Sequence, residues 1–163
     1  MKVLDAPAVE QKIRRMAYQI YEHNYDVDEL ILLGINNNGY RFAELLYGEL
    51  QRIVPWSVRL YRLRLNPAAP DAEPVRIEGI ASGALRGRSI VVIDDVANTG
   101  RTLFYAMKPL METLPASVQT AVLVDRKHKS FPVQPDYVGL SLATTVQDHI
   151  QVHLDRPFGV ELI

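Results

Sequence analysis

One uninterrupted apolar run, Ile90–Ile93, constrains the fold of this chain more than any other feature of the sequence. Ile, Val, Val and Ile follow one another with no polar residue between them, which predicts a β-strand buried on both faces. The run ends in two carboxylates, Asp94 and Asp95, and a short polar stretch then precedes an apolar helical pattern. A strand, a turn and a helix in this order are typical of an α/β protein, in which binding sites form at the carboxyl ends of parallel strands.

The residues after this strand have the chemistry of two adjoining subsites. Ionised Asp94 and Asp95 offer only hydrogen-bond acceptors, so they suit a vicinal diol such as the two hydroxyls of a ribose and would repel a phosphate. Thr99 and Thr102 supply hydroxyls, Gly100 lets the backbone approach closely, and the amides that open the next helix point at an anion. A diol subsite beside a phosphate subsite predicts a bound ribose 5-phosphate.

The segment Ile90–Thr102 resembles the phosphoribosyl-diphosphate motif of the type I phosphoribosyltransferases, in which apolar residues and two acids precede three variable positions and Thr-Gly-x-Thr. The resemblance implies that Asp94 and Asp95 are catalytic and hold the ribose hydroxyls. It implies that the turn binds the 5-phosphate through Val96, Ala97, Asn98, Thr99, Gly100, Arg101 and Thr102. It also implies Mg²⁺ as cofactor, held mainly through phosphoribosyl diphosphate and not by a dedicated set of protein ligands.

Two alternatives to this interpretation are a nucleoside triphosphatase and an ordinary polar strand exit. In a triphosphatase the acids would hold magnesium, and an upstream Gly-x-x-x-x-Gly-Lys-Ser/Thr loop is then required. The stretch Gly34–Arg41 has the glycine spacing but carries Tyr40 where the phosphate-binding lysine must be. The absent lysine decides against a triphosphatase.

Length and composition set the broad class of the protein. The 163 residues, 48% of them hydrophobic, fit one domain, which we expect to span residues 1–163. A formal net charge of −1 gives no bulk electrostatic argument for nucleic acid or an anionic membrane. The sequence has no cysteine, which excludes disulfides and thiolate metal sites. No run approaches the roughly 20 apolar residues of a membrane span, and no signal peptide is evident, so we expect a cytoplasmic protein without a membrane partner.

A helix and a second buried strand precede the central strand. Apolar residues at steps of three and four predict a helix over Ala8–His23 that ends near Asn24. Its polar face carries basic residues and is either solvated or a contact to a partner or to RNA; they are Lys12, Arg14 and Arg15. The run Leu30–Ile35 predicts the second strand, and a polar turn and another helical pattern follow it.

The turn after this second strand is the candidate diphosphate site. In the family that the chain resembles, this turn binds the diphosphate leaving group, which implies the same role for Ile35, Asn36, Asn37, Asn38 and Gly39. The alternative is a simple Asn-Gly turn, for which these residues are equally apt. The family's Thr-Arg-Gly stands here as Asn37-Asn38-Gly39, so a cation is missing from the sequence of the turn.

An arginine-rich strand and a proline-rich loop come next. The interleaved arginines of Trp56–Leu65 predict an exposed or edge strand. Three prolines in Asn66–Pro74 exclude a helix or a central strand and predict a loop. The resemblance implies a flexible hood over the active site here, with Tyr61, Arg62 and Arg64 as its residues, whereas the alternative is a passive linker. The pyrimidine-operon attenuators, a group within this family, carry two acids at the positions of Leu63 and Arg64.

The rest of the chain continues the alternation of helices and strands. Leu103, Ala106, Met107, Leu110 and Met111 predict the inner stripe of one helix. Thr120–Val124 predicts another buried strand, and Pro135–Gly139 and Ile150–Leu154 predict shorter strands of a small C-terminal layer. The chain is therefore predicted to be an α/β protein with a doubly wound, mostly parallel sheet and a small C-terminal hood.

Two later segments, Leu123–His128 and Pro135–Gly139, are similar to the pyrimidine-operon attenuators that double as uracil phosphoribosyltransferases. The resemblance implies that the base is a pyrimidine such as uracil, and that it is contacted by Asp125, Tyr137, Val138 and Gly139. Asn98 stands where 6-oxopurine phosphoribosyltransferases carry an Asp proposed as general acid/base. Because an amide cannot take a proton from a purine at neutral pH, Asn98 argues against a hypoxanthine or guanine enzyme.

We therefore expect an enzyme that transfers ribose 5-phosphate from phosphoribosyl diphosphate to a nucleobase and releases diphosphate. By analogy with the family, we expect a homodimer or higher homo-oligomer. The alternatives are a weak or inactive regulator that senses phosphoribosyl diphosphate or nucleotide and binds RNA, and a scaffold that keeps only the fold.

Overall fold

Nine β-strands, three α-helices and two short 3₁₀ helices make up the described part of the chain, residues 1–143 and 148–163 of a computed structural model. The strands are β1 (Lys2–Leu4), β2 (Glu29–Ile35), β3 (Ser57–Arg64), β4 (Arg76–Glu78), β5 (Ser89–Ala97), β6 (Ser117–Arg126), β7 (Tyr137–Leu142), β8 (Ile150–His153) and β9 (Gly159–Leu162). The helices are α1 (Ala6–His23), α2 (Asn36–Ile53) and α3 (Arg101–Ala106), and the 3₁₀ helices span Ser82–Leu85 and Lys108–Glu112.

Six strands form the main sheet in the order β4-β3-β2-β5-β6-β7. Neighbouring strands are parallel, except that β4 runs antiparallel to β3 at one edge. The apolar run Ile90–Ile93 lies in β5, between β2 and β6, and is fully buried. Gly34 of β2 is paired with Ile93, so β5 extends past its pairing with β2 from Asp94 onwards. The predicted doubly wound, mostly parallel α/β fold is confirmed.

Two apolar clusters cover the two faces of this sheet. One cluster lies under α1 and α2, whose apolar residues recur every three or four positions and so form one stripe along each helix. Those of α1 are Val9, Ile13, Met16, Ala17 and Ile20. The other cluster lies under α3 and the 3₁₀ helices, which bury Leu85, Leu103, Ala106 and Leu110. No helix within the described ranges is both long and apolar enough to cross a membrane.

Helix α1 begins two residues before its predicted start, because Asp5 caps it. The Oδ1 atom of Asp5 accepts a hydrogen bond from the amide of Ala8 at 3.0 Å. At the other end, the buried Asn24 donates its side-chain amide to the carbonyl of Ile20 at 2.8 Å. The helix therefore ends where the sequence predicts.

A second, antiparallel sheet joins the two ends of the chain in the order β1-β9-β8. Lys2 is paired with Glu161, and the N-terminal ammonium of Met1 donates to the carbonyl of Leu162 at 2.7 Å. The hood sheet, as we call β1, β8 and β9, therefore contains the predicted strand at Ile150–Leu154 as β8, together with β1 and β9, which were not predicted.

Two predictions of local structure are wrong, and one is right in part. The predicted exposed or edge strand at Trp56–Leu65 is β3, and β4 pairs with Arg62–Arg64 only, so this end of β3 lies inside the sheet while Ser57–Tyr61 stay at its edge. The segment Pro135–Gly139 leads into β7, which pairs with β6 in the main sheet and is not part of the C-terminal layer. The helix after β5 stops at Ala106, because Pro109 has no amide hydrogen to continue the α-helical pattern. Met111 is 71% exposed in consequence.

Candidate active site

Asp94 and Asp95 lie at the carboxyl end of β5. Asp94 is 9% exposed, and its Oδ1 atom accepts the amide hydrogen of Asp95 at 2.9 Å. Asp95 is less buried, and its Oδ1 atom accepts the amide hydrogen of Val96 at 2.9 Å. Burial, reinforced by the neighbouring charge of Asp95, raises the pKa of Asp94 well above its ordinary value of 3.8. The end of β5 therefore holds one carboxyl group in a position where ionisation is costly.

The start of α2 packs directly against this end of β5. A Cβ atom at Gly39 would lie 2.8 Å from the carbonyl oxygen of Ile93 and 3.1 Å from Oδ1 of Asp94. Only a residue without a side chain permits such a close approach of two backbones. Gly39 thus brings the predicted diphosphate turn next to the two acids.

The residues predicted to bind diphosphate form the end of β2 and the first turn of α2. Asn36 has φ of +53°, in the left-handed region that Asn tolerates better than most residues. Its Oδ1 atom accepts the amide hydrogen of Leu65 at 3.1 Å, and Oδ1 of Asn37 accepts a hydrogen from Nη1 of Arg64 at 3.1 Å. A cavity of about 400 Å³, which we call the diphosphate cavity, is lined by Ile35, Asn36, Asn37, Asn38, Pro67, Asp94, Asp95 and Thr102.

The predicted phosphate turn lines a second cavity, of about 520 Å³, which we call the phosphate cavity. Its turn runs from the end of β5 through Gly100, whose φ of +88° is a left-handed conformation that favours glycine. All residues from Val96 to Leu103 line the cavity, together with Pro67, Asp94, Ser130 and Phe131. Because Pro67, Asp94 and Thr102 line both cavities, the two adjoin at Asp94, and Asp95 lines the diphosphate cavity.

The loop after β6 lies against the phosphate turn, and reasoning from the sequence missed it. The amides of Ser130 and Phe131 both donate to the carbonyl of Thr99, at 2.9 and 3.1 Å. Lys129 donates from Nζ to the carbonyl of Asn98 at 2.9 Å. These contacts hold the backbone of the turn at the carbonyls of Asn98 and Thr99.

Lys129 is in turn held by an ion pair with the carboxylate of Asp125, which was predicted to bind the base. Asp125 is 1% exposed and also accepts a hydrogen bond from Nε2 of Gln134 at 3.3 Å. In this structure its carboxylate positions Lys129 and lines neither cavity. The basic run after β6 was the available signal for Lys129, but nothing in the sequence distinguishes this lysine from Lys127.

The other residues predicted to contact the base lie on β7, two strands away from β5. The carbonyls of Val138 and Gly139 accept hydrogen bonds from Nη2 of Arg15 at 3.2 and 2.7 Å. One of the three basic residues on the polar face of α1 is therefore bound to the main sheet.

Tyr137 begins β7 and its side chain lies against α1. Its hydroxyl donates to Oε1 of Gln119 at 2.8 Å, and its ring contacts that of His23 edge-on at 5.6 Å between centroids. Burial is the main reason that the pKa of Tyr137 is raised to about 12. Tyr137, Val138 and Gly139 are not among the residues that line the two cavities.

The residues predicted for the hood loop lie on β3 and point to different partners. Tyr61 packs with the cluster under α3, whereas the guanidinium of Arg62 lies 4.1 Å from the ring centroid of Tyr40 on α2. The proline-rich loop follows β3, and the carbonyl of Pro67 accepts a hydrogen bond from Nη2 of Arg101. This loop therefore contacts the phosphate turn in the structure.

The geometry joins three kinds of group within one cleft. Two carboxylates, which can accept hydrogen bonds from a diol, lie between hydroxyl and amide donors on one side and the N-terminus of the 18-residue helix α2 on the other. A helix N-terminus favours an anion because its first amides are unpaired and its dipole is positive. The cleft can accommodate a ribose with a phosphate at one end and a second anion at the other.

A family model for the phosphoribosyl transferase domain matches residues 2–157 of this chain. Two relatives, each named "Bifunctional protein PyrR", are similar over most of the chain. The protein from Ligilactobacillus salivarius (strain UCC118) is 31% identical over 166 residues, which cover 97% of this chain and 93% of the relative. The protein from Streptococcus pneumoniae (strain CGSP14) is 32% identical over 154 residues, which cover 94% and 89%.

Solved structures of the same fold include a hypoxanthine-guanine phosphoribosyltransferase from Bacillus anthracis, with a TM-score of 0.77, 14% identity and coverage of 99% of this chain and 97% of that one. The hypoxanthine phosphoribosyltransferase of Trypanosoma cruzi has a TM-score of 0.78, 19% identity and coverage of 99% and 95%. These two likenesses support the fold alone. The resemblance to the type I phosphoribosyltransferases and to their pyrimidine-operon attenuator group is confirmed, and so is the predicted enzyme class. By its sequence and its fold, this chain belongs to the phosphoribosyltransferase family.

Proposed function

We propose that this protein transfers ribose 5-phosphate from phosphoribosyl diphosphate to a pyrimidine base such as uracil, with release of diphosphate. The observation that carries the proposal is the position of the two acids: Asp94 lines both adjoining cavities, and Asp95 lines one of them. One cavity is lined by the Thr99–Thr102 turn and the other by the start of α2, so a ribose between them has a place for an anion at each end.

The substrate is expected to lie across β5. The ribose 2- and 3-hydroxyls donate to the carboxylates of Asp94 and Asp95, and the 5-phosphate enters the phosphate cavity. The diphosphate on C1 enters the diphosphate cavity, where the unpaired amides of α2 are oriented towards it. Each end of the substrate is then fixed by a different loop, which holds C1 in place for attack by the base.

In the reaction, the bond from C1 to diphosphate oxygen breaks and a bond from C1 to a base nitrogen forms. The ribose ring gains positive charge as diphosphate leaves, and the carboxylates of Asp94 and Asp95 stabilise that charge electrostatically. A positive charge nearby also favours the ionised form of Asp94, whose pKa is raised in the free protein. The side chains thus contribute mainly positioning and electrostatic stabilisation.

Mg²⁺ is expected to accompany phosphoribosyl diphosphate, because it neutralises the leaving group. The donor set of the diphosphate cavity fits this ion: carboxylate and amide oxygens are hard ligands, and Mg²⁺ is commonly held by one or two carboxylates together with substrate phosphates. Asp94 and Asp95 are the carboxylates that line this cavity. We expect most of the coordination to come from the substrate.

The test is to incubate the protein with Mg²⁺ and phosphoribosyl diphosphate against uracil, hypoxanthine, guanine, xanthine, adenine and orotate, and to identify the nucleotide formed. We expect a uracil-dependent product that is lost in the double variant Asp94→Asn with Asp95→Asn, while the variant remains folded by circular dichroism. Wild-type turnover in the double variant would refute the roles of the two acids, and a purine product would refute the choice of base.

A second candidate is a regulator that binds phosphoribosyl diphosphate or nucleotide without turnover and also binds RNA. Two observations favour it: Asn38 replaces the cation of the family's diphosphate turn, and both relatives are named bifunctional. Since Arg15 is bonded to β7, Lys12 and Arg14 are the residues of the polar α1 face to test for RNA. Binding that weakens steeply with salt, and weakens further in Lys12→Gln with Arg14→Gln, would support this candidate.

A further inference from the structure

The diphosphate cavity combines two carboxylates with neutral side chains. Its lining consists of Asp94, Asp95, one threonine, one proline, one isoleucine and three asparagines. A diphosphate is strongly anionic, and the α2 N-terminus supplies only a partial positive charge against it. Mg²⁺ bound to the ligand neutralises part of this charge, and a side-chain cation beside the turn would add to that neutralisation.

Arg64 is the arginine that contacts this turn. It ends β3, and its Nη1 atom donates to Oδ1 of Asn37 at 3.1 Å. The next residue, Leu65, donates its amide to Oδ1 of Asn36, so the end of β3 is attached to the turn by two hydrogen bonds. The guanidinium therefore lies beside Asn37, one of the residues that line the cavity.

The guanidinium of Arg64 also has N–H groups beyond the two that donate to Asn37 and Glu78. Its Nε atom donates to Oε1 of Glu78 at 3.4 Å, so these two contacts use two of its five N–H groups. The side chain is 33% exposed. If Arg64 turned towards an anion, Glu78 would keep a partner, because Nη1 of Arg76 lies 3.7 Å from its Oε2 atom.

Other arginines near the cavity are engaged with different groups. Arg62, on the same face of β3, lies over the ring of Tyr40. Arg41 of α2 donates to the carbonyl of Leu154, which follows β8. Arg101 donates to the carbonyl of Pro67. Arg64 is therefore the arginine best placed to meet an anion at Asn37.

We propose that Arg64 is the cation of the diphosphate subsite, supplied from β3 in place of a cation within the turn. This inference rests on the proposed function, because it assumes that phosphoribosyl diphosphate is the ligand. A guanidinium suits the role, since it stays charged and presents paired donors to phosphate oxygens.

The experiment measures binding by calorimetry for two ligands, Mg²⁺-phosphoribosyl diphosphate and ribose 5-phosphate, with wild type, Arg64→Gln, Arg64→Lys and Arg76→Gln. We expect Arg64→Gln to raise the Kd of phosphoribosyl diphosphate at least tenfold, or about 1.4 kcal/mol. The Kd of ribose 5-phosphate should stay unchanged, because this ligand lacks the diphosphate. Arg64→Lys should recover part of the loss, and the matched control Arg76→Gln should behave as wild type.

A second variant separates charge from a structural role. Arg64→Gln combined with Asn38→Arg places the cation inside the turn, and we expect it to restore the affinity for phosphoribosyl diphosphate to within a few-fold of wild type. An unchanged Kd in Arg64→Gln, with wild type binding and turning over the substrate, would overturn this inference and leave the proposed function standing. A wild type that binds ribose 5-phosphate but not phosphoribosyl diphosphate would overturn both.

Discussion

A carboxyl group that is nearly buried beside a second carboxyl costs folding free energy whenever it is ionised. Asp94 is such a group, because the backbone of Gly39 covers it on one side and Asp95 follows it in the chain. The close packing that brings the start of α2 to the acids also removes water from Asp94. Ionised Asp94 therefore lowers the free energy of unfolding, and it does so at the site of the proposed chemistry.

The first prediction concerns Asp94→Asn, which removes this cost. As pH rises above the ordinary value of 3.8, the unfolded chain loses the Asp94 proton while the native chain keeps it. The native state then binds more protons, so the free energy of unfolding falls with pH until Asp94 ionises in the native state. We expect the variant to lack this fall, to be more stable than wild type at pH 7 and to lose turnover.

Denaturant unfolding between pH 4 and pH 8 checks this prediction through the difference in free energy between wild type and variant. Asp95→Asn is the control, and it should keep most of the pH dependence because burial is the first cause of the raised pKa of Asp94. If wild type and Asp94→Asn differed in free energy of unfolding by the same amount at every pH, the pH dependence could not come from Asp94.

Among the elements, the loop after β6 does more for the candidate site than its sequence indicates. Lys129 joins three acceptors: the carbonyl of Asn98 in the phosphate turn, the carbonyl of Arg126 and the carboxylate of Asp125. One ammonium group therefore connects the end of β6 to the turn after β5. The turn is therefore held in part by an ion pair whose two residues line neither cavity.

The second prediction is that Lys129→Met destabilises the fold by about 3 kcal/mol, because it leaves the carboxylate of Asp125 buried without its cation. It should also weaken binding of ribose 5-phosphate, since the carbonyl of Asn98 loses its donor. Chemical denaturation measures the loss of stability, and calorimetry measures the weaker binding.

Lys127→Met, at an exposed neighbouring lysine, is the matched control. Adding Asp125→Asn to Lys129→Met should recover part of the stability. A loss in the double variant equal to that in Lys129→Met would refute the ion-pair explanation.

Elements with a strong local signal could be predicted from the sequence. The strands β2, β5 and β6 are branched apolar runs, and α1 has a helical period, so their own residues define them. The carboxyl-edge rule then brings the acids and both turns together. The inner position of β3 depends on β4, which is only three residues long, and Lys129 differs from Lys127 only in what it contacts. Such contacts between distant residues leave no pattern in either segment.

For the whole molecule, the hood sheet is the part that the sequence predicted least well. Its β1 and β9 strands come from opposite ends of the chain, and both are too short to give a period. A cavity of about 900 Å³ separates this sheet from the start of α2, with Asn37 and Asn38 in its lining. The diphosphate turn therefore lies between the main body and the hood sheet.

Arg41 of α2 spans this gap, and it provides the third prediction. Its Nε atom donates to the carbonyl of Leu154 at 3.2 Å and lies 3.4 Å from Oδ1 of Asp155. Because Asp155 is almost fully exposed, the hydrogen bond to the carbonyl is the more important contact. We expect Arg41→Ala to lower the free energy of unfolding by about 1 kcal/mol. The larger effect should be local: amide hydrogen exchange should become faster in β8 and β9 and stay unchanged in β2, β5 and β6.

Arg52→Ala on the same helix is the control, since Arg52 pairs only with Glu49 among the described contacts. Equal exchange in β8 and β9 of both variants would mean that the hood sheet is held by its strand pairing alone.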